Sequence, residues 1–190
     1  MSNSTQVIET VRNGVDTAQM YGTLDALNAN PELGVFQFRA SNRWLGGAHN
    51  RSTIQRFYGA GQEDASRERP FTLDAGVPAV LLGHDEGANP AEALLHALAG
   101  CLTTSLVYVA AARKVPLTRV ESRLEGDMDV RGCLGISDEV RNGFEHIRVT
   151  FSIEGDAPEE KLREVLERAT ARSAVFDMVS HGVPTTVELG

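Results

Sequence analysis

The fold is decided by residues 89–115, NPAEALLHALAGCLTTSLVYVAAARKV, which predict one long buried helix. Asn89 suits the N-cap, Pro90 the first helical position and Glu92 the third, an arrangement typical of a capping box. Pro116 ends the segment, because its ring and its missing N–H cannot continue a helix. Apolar residues occur on nearly all sides, so we expect neighbours on more than one face. Charged and hydroxyl-bearing residues within the run favour a soluble core helix over a membrane span.

The region before this helix divides into two parts. Residues 1–33 are predicted to form a helical N-terminal extension, since valines and leucines recur there at a broken helical spacing. Residues 34–190 are predicted to form the main domain. At its start, alternation around Phe36 and Phe38 indicates a strand, and Gly46-Gly47 marks the turn of a hairpin. The further strands expected before the helix lie at 52–58, 71–74 and 79–82.

The chain after the long helix alternates between strand and helix patterns. Residues 144–154 place apolar and polar side chains alternately, which indicates a half-buried strand, and residues 120–131 do so loosely. The other expected elements are a helix at 156–172, a short helix at 173–181 and a strand at 183–189. This order indicates an α+β fold with a largely antiparallel sheet around a long central helix.

Charge and composition exclude several function classes. The chain has 26 acidic and 18 basic residues, and its net charge of −8 disfavours a nucleic acid or an anionic membrane as a partner. Residues 1–10 lack the basic and apolar regions of a secretory leader. Two cysteines are too few for a disulfide scaffold, so we expect a reducing, cytoplasmic location.

Cys101 is the candidate reactive group within the long helix. Free cysteine is among the most buried residue types, so one interpretation is a small core residue. On an ideal helix, Thr104, Ser105 and Tyr108 lie near its face, and their hydroxyls could hydrogen-bond a thiolate or a ligand oxygen. Hydroxyls on helices equally often bond helix carbonyls. No spacing typical of metal ligands or phosphate loops is present, so neither a metal nor a cofactor is expected.

Residues 89–104, together with the pattern of strands and helices downstream, resemble the osmotically inducible protein C and organic hydroperoxide resistance family (OsmC/Ohr). The resemblance covers residues 35–190. It implies an intertwined homodimer whose sheets wrap two central helices. It also implies thiol-dependent reduction of hydroperoxides, in which the helix cysteine, Cys101, attacks the peroxide oxygen and becomes a sulfenic acid.

The resemblance also implies three catalytic residues. Cys101 is the nucleophile, and an arginine and a glutamate hold the thiolate and the peroxide. Arg51 is the best candidate for the arginine, with Arg43 as the second candidate. Glu92 is the candidate for the glutamate, although many peroxidase members carry that residue at the position of Ala91.

One departure from the family leaves the function open. The second, resolving cysteine usually stands in a Cys-Pro pair, at a position that reads Ser173-Ala174 here. One interpretation is a peroxidase for oxidative-stress defence, with Cys101 resolved by an external thiol reductant or by Cys133. The alternative is a non-catalytic homodimer that binds an apolar or thiol-reactive small molecule. A third, weaker interpretation is a structural oligomer with the helix cysteine in its core.

Overall fold

The computed structural model describes residues 10–190, which form two compact units. One unit contains residues 10–18 and 95–190, and the other contains residues 19–94. The predicted fold class is confirmed, because helices alternate with strands that pair antiparallel along the described chain. The first nine residues of the predicted extension lie outside the described residues.

Strands and helices have the following bounds in residues 10–190. The strands are β1 (Val11–Arg12), β2 (Val15–Asp16), β3 (Gln37–Phe38), β4 (Ser41–Gly46), β5 (His49–Ile54), β6 (Phe57–Gly59), β7 (Gln62–Asp64), β8 (Phe71–Ala75), β9 (Leu117–Asp127) and β10 (His146–Gly155). The helices are α1 (Thr17–Ala29), α2 (Pro90–Ala112), α3 (Val130–Cys133), α4 (Glu159–Thr170) and α5 (Ala174–His181). Short 3-10 turns cover Pro31–Gly34 and Ala79–Leu81.

The unit of residues 19–94 is built on two three-stranded antiparallel sheets, with strand orders β3-β6-β7 and β4-β5-β8. The predicted hairpin turn lies between β4 and β5, where Gly46 and Gly47 adopt positive φ angles of 135° and 55°. The strand register places Arg43 opposite Arg51, and Arg51 opposite Asp74 of β8. These three side chains therefore occupy one row across the sheet.

An aromatic cluster lies in the same unit. The ring centroid of Phe38 is 5.8 Å from that of Phe36 and 5.8 Å from that of Phe57. The guanidinium of Arg67 lies 5.1 Å from the ring centroid of Phe57, within the range of a cation–π contact. Phe38 is 73% exposed, so the cluster presents ring surface to solvent in the described chain.

The core of the other unit forms where α2, α4 and the β9–β10 hairpin meet. Leu106 of α2 and Val165 of α4 are fully buried. Phe151 of β10 packs against them, as the alternation of apolar and polar residues predicts. The outward face of the hairpin is polar and carries ion pairs such as Arg119 with Glu154, at 2.8 Å.

Helix α2 closely follows its prediction. Asn89 precedes its first residue, and Pro116 lies shortly beyond its last residue. Leu98, Leu102 and Leu106 are buried, so one side of the helix faces the core. Leu94 and Tyr108 are more than a third exposed, so contact on a further face stays a prediction. Among the helices of residues 10–190, α2 alone is long and apolar enough to cross a membrane, a test that the core helix of a soluble protein also passes.

The helical prediction for residues 10–16 is wrong, because this segment forms the β1–β2 hairpin. Its two-residue turn is Asn13-Gly14, with φ angles of 50° and 78°. Positive φ at both central residues is typical of a type I′ turn, for which Asn-Gly is a favoured pair. The turn dipeptide therefore prevails over a weak helical spacing, and α1 begins only at Thr17.

Two predicted strands are also wrong. Residues 79–82 form a 3-10 turn in which the Leu81 N–H donates to the Pro78 carbonyl at 2.8 Å. The turn ends at Leu82, which has a left-handed φ of 65°. Residues 183–189 contain no regular secondary structure and are exposed. Strand-like residues form a strand only beside a pairing partner, and the described chain offers this segment none.

Candidate active site

Cys101 lies in the middle of α2 and is partly exposed. Its helix neighbours Leu98 and Leu102 are buried. The cysteine is therefore at the edge of the core and is not sealed inside it. The surroundings of its sulfur are completed by residues that follow α4 in sequence.

The start of α5 is held against this sulfur. Ser173 is the N-cap of α5, and its Oγ accepts a hydrogen bond from the Phe176 N–H at 3.3 Å. Ser173 is only 2% exposed. Val165 and Ala169 anchor α4 in the core, and α4 ends at Thr170, shortly before the cap. The packing of α4 thus determines where α5 begins.

Two donors reach the sulfur from this helix start. Ser173 Oγ donates to Cys101 Sγ at 3.2 Å, and the Val175 N–H donates to it at 3.5 Å. The sulfur is the acceptor in both hydrogen bonds. The exposed N–H groups at a helix N-terminus carry partial positive charge, so an anion is favoured there. Both donors therefore point at the sulfur from the start of α5.

The donors predicted from helix geometry are not the ones observed. Thr104, Ser105 and Tyr108 are expected beside the sulfur on an ideal helix, but the described hydrogen bonds come from Ser173 and Val175. Ser173 is 72 positions from Cys101 in sequence. Spacing along one helix cannot identify such a partner. The signal that points to Ser173 is the family resemblance, which marks its position for a cysteine.

Arg51 lies on β5 in the unit of residues 19–94 and is paired with Asp74. Its Nε donates to Asp74 Oδ1 at 2.8 Å, and His49 Nε2 lies 2.8 Å from the same oxygen. The Arg51 hydrogen bonds, followed by that of His49, hold the pKa of Asp74 below its ordinary value. Arg43 lies opposite Arg51 on β4. The catalytic role of either arginine stays a prediction.

Glu92 caps the helix that carries the cysteine. The Asn89 N–H donates to Glu92 Oε2 at 2.9 Å, and the Ala91 N–H donates to Asn89 Oδ1 at 2.8 Å. This reciprocal pair confirms the predicted capping box and satisfies two donors at the start of α2. The carboxylate therefore has a structural use, and its catalytic role stays a prediction.

Cys133, the other cysteine, lies at the end of α3 and is exposed. Its Sγ donates to the Val130 carbonyl at 3.3 Å, and it forms no disulfide with Cys101. Within residues 10–190, no group of three or more histidine, cysteine, aspartate or glutamate side chains is placed to hold a metal ion.

Residues 83–188 match the family model described as OsmC-like protein, which covers more than half of the chain. The chain belongs to the OsmC-like family. No curated protein matches its sequence. Membership of this family agrees with the motif around Cys101 and with the strands and helices found between residues 117 and 181.

Solved structures share the OsmC-like fold. An OsmC like protein from Mycoplasma pneumoniae has a TM-score of 0.58 at 13% identity, covering 76% of this chain and 87% of that chain. An organic hydroperoxide resistance protein OsmC from Legionella pneumophila, a predicted redox protein, has a TM-score of 0.53 at 17% identity, covering 75% and 88%. An organic hydroperoxide resistance protein from Elizabethkingia anophelis has a TM-score of 0.50 at 15% identity, covering 76% and 89%. At these identities the likeness shows the fold alone.

This OsmC-like chain has an oxygen where the family resemblance places a second sulfur. Ser173 Oγ stands 3.2 Å from Cys101 Sγ, so an oxygen is the nearest described side-chain donor to this sulfur. A hydroxyl cannot form a disulfide. The OsmC-like site therefore has a candidate nucleophile with two donors, and its immediate neighbour at the start of α5 cannot resolve an oxidised form.

Proposed function

We propose that this OsmC-like protein is a cytoplasmic thiol peroxidase that reduces organic hydroperoxides at Cys101, in defence against oxidative stress. The observation that carries the proposal is the pair of hydrogen bonds that Cys101 Sγ accepts from Ser173 Oγ and from the Val175 N–H. The thiolate is the nucleophilic form of cysteine, and donors aimed at the sulfur favour it. Partial exposure of Cys101 gives a small oxidant access to the sulfur.

The first step transfers one oxygen atom to the sulfur. The Cys101 thiolate attacks the terminal oxygen of the hydroperoxide, the O–O bond breaks, and the electron pair leaves on the alkoxide. The alkoxide takes a proton from solvent and departs as an alcohol. The cysteine is oxidised to a sulfenic acid while the hydroperoxide is reduced.

The second step needs an external thiol, because Ser173 cannot supply one. A thiol condenses with the sulfenic acid, water leaves, and a mixed disulfide forms on Cys101. A second thiol attacks that mixed disulfide at the sulfur of the first thiol. Cys101 is released as a thiol, and the two external thiols leave joined as a disulfide. The required partner is therefore a low-molecular-weight thiol or a protein dithiol. Cys133 is an alternative resolving group if its exposed thiol reaches Cys101.

We further propose that the protein acts as an intertwined homodimer, as the resemblance to OsmC/Ohr proteins implies. The exposed rings around Phe36 and Phe38 support this proposal, since a contiguous apolar surface in water is a common mark of an interface. In such an assembly Arg51 and Glu92 would hold the thiolate and the peroxide. Light scattering coupled to size-exclusion chromatography should give the mass of two chains, and the mass of one chain would contradict the assembly.

Hydroperoxide consumption by cysteine variants tests the enzymatic proposal. The protein is mixed with cumene hydroperoxide and dithiothreitol, and the remaining peroxide is followed in time. Cys101→Ser should abolish protein-dependent consumption, because serine is not oxidised by peroxide. Cys133→Ser is the matched control and should retain most of the rate. Mass spectrometry after trapping with dimedone should place the sulfenic acid on Cys101.

Equal consumption by Cys101→Ser and the unsubstituted protein would overturn the enzymatic proposal. A specific observation then favours the second candidate, a non-catalytic protein that binds an apolar or thiol-reactive small molecule. That observation is the hydroxyl of Ser173 at the position of the resolving cysteine. This candidate predicts no peroxide consumption, together with a ligand-dependent rise in Tm.

A further inference from the structure

The hydroxyl of Ser173 has its hydrogen-bonding direction set by the local backbone. Its oxygen accepts the Phe176 N–H at 3.3 Å as the N-cap of α5. Its single proton is then available to the other neighbour, Cys101 Sγ, at 3.2 Å. The buried position of Ser173 keeps water from competing for either bond. The hydroxyl therefore donates to the sulfur while its oxygen caps the helix.

The sulfur itself takes part in capping α5. Ala174 and Val175 are the first two residues of the helix, so the Val175 N–H has no carbonyl partner within it. That N–H donates to Cys101 Sγ at 3.5 Å. The Val175 N–H is thus satisfied by sulfur, and the next N–H, of Phe176, by the Ser173 oxygen. The position of the sulfur is thereby tied to the backbone of α5.

We propose that Ser173 is a positioning residue for Cys101, which it fixes as a hydrogen-bond acceptor and keeps free of a disulfide at the start of α5. The hydroxyl acts through the sulfur and does not itself react. After oxidation, the Cys101 sulfenic acid remains at the start of α5 until an external thiol, or Cys133, reacts with it. This inference rests on the proposed function for its oxidation step, but the effect of Ser173 on the sulfur can be measured without any peroxide.

Alkylation of Cys101 by iodoacetamide tests the positioning role. The measurements use the Cys133→Ser background, so that one thiol reacts, and neutral pH. Ser173→Ala and Ser173→Gly should slow alkylation about two- to tenfold, because the sulfur loses the hydrogen-bond donor that orients it and stabilises negative charge on it. Ser173→Thr keeps the hydroxyl and should restore most of the rate.

The choice of variants separates positioning from folding. Ser173→Ala removes the helix cap as well as the hydroxyl, whereas glycine at an N-cap is nearly as favourable as serine. Circular dichroism and Tm identify any variant that fails to fold. If Ser173→Ala fails, the alkylation rates of Ser173→Gly and Ser173→Thr test the positioning role. Unchanged alkylation in Ser173→Gly, or no recovery in Ser173→Thr, would overturn the positioning role.

A cysteine at the same position tests the second half of the inference. In Ser173→Cys the new sulfur would start from the place of an oxygen 3.2 Å from Cys101 Sγ, and we expect two sulfurs so placed to bond. The oxidant diamide should therefore form an intrachain disulfide, seen as a mass loss of two hydrogens. Both chains carry Cys133→Ser, so the chain with Ser173 should show none. Failure of Ser173→Cys to cross-link would contradict the geometry.

These outcomes are independent of peroxidase activity. If the unsubstituted protein consumes no hydroperoxide while Ser173→Gly slows alkylation, the proposed function fails and the positioning role stands. If hydroperoxide is consumed and Ser173→Gly alkylates at the original rate, the positioning role fails and the proposed function stands.

Discussion

Asn13 Oδ1 accepts a hydrogen bond from the Leu117 N–H at 3.0 Å, although the two residues are 104 positions apart in sequence. The same side chain donates through Nδ2 to the Val115 carbonyl at 2.9 Å. It thereby bridges both sides of Pro116, where α2 gives way to β9. The turn of the N-terminal hairpin therefore fastens the end of the helix that carries Cys101.

Asn13→Ala should lower the free energy of unfolding by about 2–3 kcal/mol, because two partly buried hydrogen bonds are lost and alanine is strained at a φ of 50°. Glycine adopts that φ without strain, so Asn13→Gly should lower the free energy of unfolding by about 1–2 kcal/mol. That is the part due to the lost hydrogen bonds. Asn28→Ala, at an exposed position of α1, is the control and should stay within about 0.5 kcal/mol. Urea denaturation measures all three, and equal costs for Asn13→Gly and Asn28→Ala would argue against the bridge.

Leu106→Ala should lower the free energy of unfolding more than most substitutions in the core. The Leu106 side chain is fully buried where α2 packs against α4. Removing a buried leucine side chain beyond Cβ typically costs 2–5 kcal/mol, through lost burial and the cavity that remains. Leu134→Ala makes the same chemical change at a residue that is 58% exposed and should cost less than about 0.5 kcal/mol. Thermal and urea unfolding compare the two, and similar losses of stability would show that Leu106 does not pack in the core.

Glu92→Gln separates the capping role of Glu92 from a catalytic one. Glutamine can still accept the Asn89 N–H, so α2 should keep its cap and its stability. Glu92→Ala loses the cap and should cost about 1 kcal/mol. If Glu92 acts only as a cap, Glu92→Gln keeps the full rate of hydroperoxide consumption. A large loss of rate in a stable Glu92→Gln protein would instead support the carboxylate in catalysis.

Asp129 should titrate far below an ordinary aspartate. Hydrogen bonds from the Arg131 side chain, and then from its backbone N–H, lower the pKa of Asp129 to about 2. Because the folded pKa is depressed, this carboxylate contributes stability at pH values above about 4 and loses that contribution as the pH falls towards 2. Arg131→Ala should raise the pKa of Asp129 towards its ordinary value.

Carboxyl NMR titration measures this shift directly. Arg123→Ala is the control, since Arg123 pairs with Glu125 and not with Asp129. It should leave the Asp129 titration where it is. An ordinary pKa for Asp129 in the unsubstituted protein would show that the pairing with Arg131 does not persist in solution.

Helix α2 could be predicted from sequence because its signals are local. The cap at Asn89, Pro90 at the first position and the apolar run all lie within the segment itself. The hairpin at Asn13-Gly14 also carried a local signal, but the helical spacing of the valines around it favoured the wrong element. Residues 183–189 show the limit of pattern alone, since a strand requires a partner that no local pattern supplies.

The candidate site was predictable only in part. Cys101 could be identified from its helix and from the family resemblance. Its hydrogen bond with Ser173 depends on how α4 packs in the core and on where that packing sets the start of α5. The pairing of Arg51 with Asp74 likewise depends on the register of β5 and β8, which distant residues determine together.

The contact of Ser173 with Cys101 has an evolutionary consequence. Serine and cysteine differ by one atom, and most serine codons become cysteine codons through a single base change. If Cys101 reduces hydroperoxides as proposed, a lineage could exchange a resolving cysteine for an external reductant without rebuilding the scaffold. A single base change at position 173 would then decide which thiol completes the reaction.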